Sequence, residues 1–83
     1  MVERFSYSEH ARNVMKEREI PDDWVELTVN EPERKESKED GTVHFIRAVA
    51  EREGRHLRVV VNTETDPPAV VTVFFDRRLG RKI

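Results

Sequence analysis

The sequence predicts an α+β fold, with two N-terminal helices packed on one face of a sheet of three to four antiparallel strands. Three observations lead there. Two apolar runs, Val59-Val60-Val61 and Val70-Val71-Thr72-Val73-Phe74-Phe75, are dominated by β-branched and aromatic residues, which suit a pleated surface. The polar stretch Asn62–Pro68 between them closes on Pro67-Pro68, where no N–H is left for a ladder, so the runs pair as a hairpin. Upstream, apolar residues recur at three- and four-residue steps, the period of helices rather than strands.

Taken in order, Arg4–Tyr7 is a candidate edge strand. Ser6 or Ser8 caps the first helix: Ser8 directly precedes it, whereas Ser6 with Glu9 has the spacing of a capping box. Tyr7, Ala11, Val14, Met15 and Arg18 form its sheet-facing stripe. Ile20-Pro21 breaks the helix, and Pro21 opens a second whose positive end suits Asp22 and Asp23. Trp24, Val25, Thr28 and Val29 point inward from it. It ends at Glu31-Pro32, because a residue before proline is pushed out of the α region. The charged stretch Glu33–Thr42 ends in the turn signal Asp40-Gly41, and a short edge strand within it would be guarded against aggregation by its charges. Val43–Ala50 is the next strand, Glu51–Arg55 its turn, and the hairpin follows.

Eighty-three residues, 1–83, make a single domain. With no cysteine there is neither a disulfide frame nor a thiolate metal site, which fits a reducing, cytoplasmic setting. No run approaches the ~20 apolar residues that span a bilayer, and Met1-Val2-Glu3-Arg4 opens no signal peptide, so no membrane is expected. Net charge is −2 and unevenly spread. Residues 1–40 hold 7 Lys/Arg against 12 Asp/Glu, a net of −5, and residues 41–83 hold 8 against 5, a net of +3. An anionic partner would therefore meet the sheet half.

Strand alternation sorts the candidate residues. Leu57, Val59 and Val61 belong under the helices with Val71, Val73 and Phe75, pairing Val61 with Val71, Val59 with Val73 and Leu57 with Phe75. The opposite, open face then carries His56, Arg58, Thr72 and Asp76. The strand from Val43 can face either way: Ile46 and Ala48 inward with Arg47 on the open face, or the reverse; the first is preferred, because burying an unpaired arginine is costly.

Arg58 and Arg47 side by side would offer forked donors to phosphate or carboxylate; the plainer reading is two solvated side chains balanced by nearby carboxylates. His10 lies in the first turn of the first helix, where a neutral ring can accept a proton; from spacing alone, a packed histidine hydrogen-bonded to the chain nearby is the plainer reading. Arg18 is either a structural ion pair or carbonyl cap, or a phosphate contact. Arg77, Arg78, Arg81 and Lys82 form a basic end that either clamps phosphates or only solubilises. Pairing outward from the hairpin brings His56 near Asp76, whose carboxylate would favour a charged ring able to hold phosphate; the plainer reading is that both side chains point to solvent at the sheet rim. His44 and His56 lack metal-ligand spacing, and no P-loop, GxSxG or GxGxxG is present, so no metal or cofactor is expected.

His10-Ala11-Arg12, Met15, Arg18 and Ile20, then Trp24-Val25-Glu26 leading to Asn30-Glu31-Pro32, then Leu57–Asn62, Pro68, Val70-Val71-Thr72 and Phe74–Arg78 resemble the bacterial and archaeal family called domain of unknown function 4258. The resemblance covers nearly the whole chain, with departures at Val14, where a second arginine is common, and Glu19, where glycine is frequent. It implies a fold similar to the RelE and BrnT toxins, which are ribonucleases. It would make this a toxin-like domain that binds RNA or cleaves it without metal on the open sheet face. His10, Arg58 and His56 would then be catalytic, and Arg47, Arg18, Thr72, Arg77 and Arg78 RNA-binding. RNA or a ribosome, and a small cognate antitoxin, would be the partners. The alternative is a non-catalytic protein-interaction module that keeps the toxin fold.

Overall fold

The computed structural model describes residues 5–79. A short strand, β1 (Ser6–Tyr7), leads into helices α1 (Glu9–Arg18) and α2 (Asp22–Asn30). Strands β2 (Arg34–Ser37), β3 (Thr42–Val49), β4 (Arg55–Asn62) and β5 (Ala69–Phe75) follow, with 3₁₀ turns at Ala50–Arg52 and Arg77–Leu79. The fold is α+β as expected, but the sheet has five strands in the order β1-β5-β4-β3-β2. It is also mixed: β1 runs parallel to β5, and the other three pairings are antiparallel. The additional strands come from the two edges, where Ser6–Tyr7 docks on β5 and the charged segment supplies β2. Among the described residues, no helix is long and apolar enough to cross a membrane.

Ser8, not Ser6, caps α1. Its hydroxyl accepts from the Ala11 N–H, satisfying a donor that has no partner within the helix. The helix ends at Glu19, which is left-handed (φ 55°) and donates to the Lys16 and Met15 carbonyls, with the Ile20 N–H also on Met15. The core lies between the helices and one sheet face. It gathers Ala11, Met15, Ile20, Val25 and Val29 with Phe45, Val49, Leu57, Val59, Val61, Val70 and Val73. Each fully buried valine or leucine here contributes about 1.5–3 kcal/mol. Arg18, assigned by its spacing to the inward stripe, is instead exposed in the last turn of α1.

Two expectations about strand facing fail, each for a local reason. Phe45 and Val49 face the helices, placing Ile46 on the opposite face and Arg47 on the helix side. The arginine is not left unpaired there: it stays partly exposed and its Nη1 donates to the Glu31 carbonyl at 2.6 Å, capping α2. In the hairpin, Leu57 pairs Phe75 and Val59 pairs Val73 as expected, but Val61 pairs Val70. Val60 already pairs Thr72, so Val71 is an extra, unpaired residue forming a β-bulge. Val70 therefore fills the core and Val71 is exposed.

Candidate functional site

The face away from the helices is organised in rows set by strand register. Thr72, Val60, His44 and Glu36 are successive partners across β5, β4, β3 and β2. At strand spacing, Thr72 and His44 lie about 10 Å apart. The next row is Phe74, Arg58, Ile46 and Arg34. The C-terminal 3₁₀ turn packs against β4.

Arg58 is only 5% exposed, and a charge at that depth has to be paired. Its Nε donates to Asp76 Oδ2 at 2.8 Å, and its Nη1 donates to Glu36 Oε1 at 3.2 Å and to His44 Nδ1 at 2.9 Å. A guanidinium has only donors, so His44 Nδ1 must accept, and the ring proton sits on Nε2. Asp76, also buried, takes three further bonds from Arg78: its N–H at 2.9 Å, Nε at 3.2 Å and Nη2 at 3.1 Å. Those Arg78 bonds, with Arg58 beside them, hold the Asp76 carboxyl far below the usual carboxylate range despite its burial. Glu36 also pairs Lys38 at 3.0 Å and Arg34 at 2.9 Å. The Lys38 bond, then that of Arg58, lowers its pKa to about 2. Burial, reinforced by the Arg58 and Lys38 charges, lowers that of His44.

This network joins four cations (Arg34, Lys38, Arg58, Arg78) to two carboxylates (Glu36, Asp76), an excess of +2 on a chain whose net charge is −2. Arg34, Lys38 and Arg78 keep exposed side chains.

At the other end of the first row, His10 Nε2 lies 3.1 Å from Thr72 Oγ1. The contact is fixed by the bulge, because the Ser8 N–H donates to the Val70 carbonyl at 2.9 Å and its Oγ donates to Val71 at 2.8 Å. The helix start is thereby held against β5, and His10 stays exposed.

The residues singled out from sequence therefore divide. His10 and Thr72 meet, and Arg58 and Arg78 meet on Asp76. Arg47 is on the helix side and does not share a face with Arg58. Arg18 presents its carbonyl to Arg52 Nη2 at 3.2 Å, while its own side chain is exposed. His56 is half-buried beside Ala48 on the open face, and the Asp76 N–H donates to its carbonyl at 2.8 Å. Their neighbourhood is as expected, but the Asp76 carboxylate is held by two arginines. Arg77 is exposed; Arg81 and Lys82 lie outside the described residues. Tyr7 packs on the core, where burial, then the Asp22 and Glu26 charges, pushes its phenol up to about 12.

Sequence reading missed His44, Glu36 and Arg52. For His44 a signal was present, since Val43, Phe45 and Val49 share one parity, but Ile46 and Ala48 share the other and the placement of Arg47 decided between them wrongly. For Glu36 and Arg52 only tertiary contact reveals the role. Arg52 donates to the Arg18 and Glu19 carbonyls and stacks on Trp24 and Phe75.

Neither a curated protein nor a solved structure matches the chain. A family model, Domain of unknown function (DUF4258), matches residues 7–75, which take in both helices and all of β2 to β5. The chain belongs to the DUF4258 family.

Proposed function

We propose that the domain binds RNA along the open sheet face and cleaves it without a metal, as a toxin-like ribonuclease. The observation that carries this reading is the row from His10 and Thr72 to His44, flanked by a network with two positive charges in excess. The fold that the family resemblance implies, similar to that of the RelE and BrnT toxins, points the same way by analogy. Arg34, Lys38, Arg77 and Arg78 capture phosphate, while Arg58, its Nε and Nη1 engaged, is a positioning residue for His44 and Arg78.

In the reaction, His10 Nε2 takes the proton of a ribose 2′-hydroxyl. The 2′ oxygen forms a bond to the adjacent phosphorus, and the bond from phosphorus to the 5′ oxygen breaks. His44, neutral with its proton on Nε2, donates a hydrogen bond to a phosphate oxygen; the leaving 5′ oxygen takes its proton from water, and a 2′,3′-cyclic phosphate remains. Thr72 and His44, about 10 Å apart across the face, leave room for a phosphate between them. Arg78 stabilises the charge that builds on phosphorus.

The test is incubation of the protein with an unstructured RNA in chelator. Cyclic-phosphate ends should form, His10→Gln should cut the rate at least about 100-fold, and Arg78→Ala should weaken binding and lower its salt dependence. No RNA binding at low salt would overturn the proposal. A second reading would then stand, favoured by β5: among the described residues, only Ala69 and Val70 of that strand pair with β1, and Val71 beside them is exposed. On that reading the domain is a non-catalytic module that takes a protein partner, such as a small antitoxin, along this edge.

A further inference from the structure

The six aromatic side chains of the chain divide sharply by what stacks on them. Phe5 and Tyr7 pack ring to ring at 5.5 Å, and Arg12 covers Tyr7 at 3.9 Å. Lys35 lies over Phe45, and Arg52 over both Trp24 and Phe75. Among the described residues, Phe74 alone has neither a ring nor a cation against its own ring, and it is 37% exposed.

Its position is as telling as its exposure. Phe74 is the cross-strand partner of Arg58 and lies two residues from Thr72 on the same side of β5. Arg58 would ordinarily be free to swing over such a ring. Here Asp76, Glu36 and His44 engage its guanidinium, so the ring is left open beside a cationic network. Arg78 reaches the same Asp76 oxygen as Arg58, the cross-strand partner of Phe74, and is 80% exposed, which adds a phosphate-seeking group to the network beside that strand pair.

We infer that Phe74 is a stacking platform for one unpaired base, and that the nucleic acid this face takes is single-stranded. The inference rests on the RNA-binding reading above and adds the class of substrate. A base in a duplex is already stacked on both sides and cannot lay its face on a side chain in the sheet, whereas a splayed base can. The surrounding cations take the flanking phosphates, so the ring supplies what charge alone does not: a preference for an oligonucleotide that carries bases. Because a phenyl ring makes no hydrogen bonds, the contact tolerates any base.

The experiment is fluorescence anisotropy at low salt with three labelled probes: an eight-nucleotide single-stranded RNA, an abasic strand of the same length, and a hairpin duplex. Wild-type protein should bind the single strand about 5- to 150-fold more tightly than the abasic strand. Phe74→Ala should remove that preference while keeping abasic binding, and Phe74→Tyr should retain it. Phe74 is partly exposed and outside the core cluster, so the alanine variant should keep the wild-type circular dichroism spectrum. If Phe74→Ala keeps the full preference, or if wild type favours the duplex, the stacking inference falls while RNA binding stands. If wild type binds none of the probes, both fall together.

Discussion

Arg58 shows how one side chain can be read two ways. On an exposed strand face it would be a phosphate ligand. Buried, with Asp76, Glu36 and His44 around it, it is the residue from which the open face is hung. Removing one member of a buried ion pair leaves the other charge uncompensated, which costs more than the pair contributes when intact. Arg58→Ala should therefore lower unfolding free energy by about 3 kcal/mol, read by urea denaturation. A change within about 0.5 kcal/mol, the range of ordinary surface substitutions, would contradict that role. Loss of activity in this variant would report a damaged fold, and Arg78→Ala, at an exposed guanidinium, is the cleaner probe of phosphate capture.

At the scale of elements, both helices end on arginines that come from elsewhere in the chain. Arg47 on β3 caps the Glu31 carbonyl, and Arg52 caps the end of α1. α2 has no basic residue in its own last turn, so Arg47 supplies the positive charge its negative end favours. The end of α1 holds a correctable strain, because Glu19 is left-handed at φ 55°, a conformation in which glycine carries no penalty. Glu19→Gly should stabilise the protein by about 0.5–1 kcal/mol and raise Tm by about 4 °C, measured by thermal denaturation. An unchanged or lowered Tm would show that Arg52 had already relieved the strain. These elements also show how far the sequence can be read. The helices and the hairpin are legible, since each buries a face whose period is local. The side that β3 presents is not, because Arg47 finds its partner on a helix sixteen residues earlier. The rule that arginine avoids the inner face holds only where no carbonyl waits for it. The pairing of His10 with Thr72 is equally illegible, since 62 residues separate them and a bulge sets the distance.

For the whole molecule, the open-face network ties stability to pH. Glu36, Asp76 and His44 all have folded pKa values below their ordinary ones. Each therefore contributes stability that is present above its unfolded value and lost as pH falls through its folded value. His44 governs the first loss, below about pH 6.5, because the unfolded chain takes up that proton more readily. The carboxylates govern the second, from the ordinary Glu value of 4.5 downward, with Glu36 completing near 2. The urea midpoint should thus be flat above pH 7, decline from about 6.5, and fall again below about 4.5. His44→Gln should erase the first decline and Glu36→Gln shrink the second, while a midpoint constant from pH 7 to 5 would refute the assignment. The bulge at Val71 has a different reach. Removing that residue on paper leaves Val61 on Val70 and Val60 on Thr72, so the hairpin would close with every partner unchanged. What it would lose is the Val71 carbonyl that anchors Ser8. Val71 is thus a spacer in the chain rather than a part of the sheet: it sets the phase between the first helix and the open face, and so lets the position of His10 vary while the ladder beneath it stays the same.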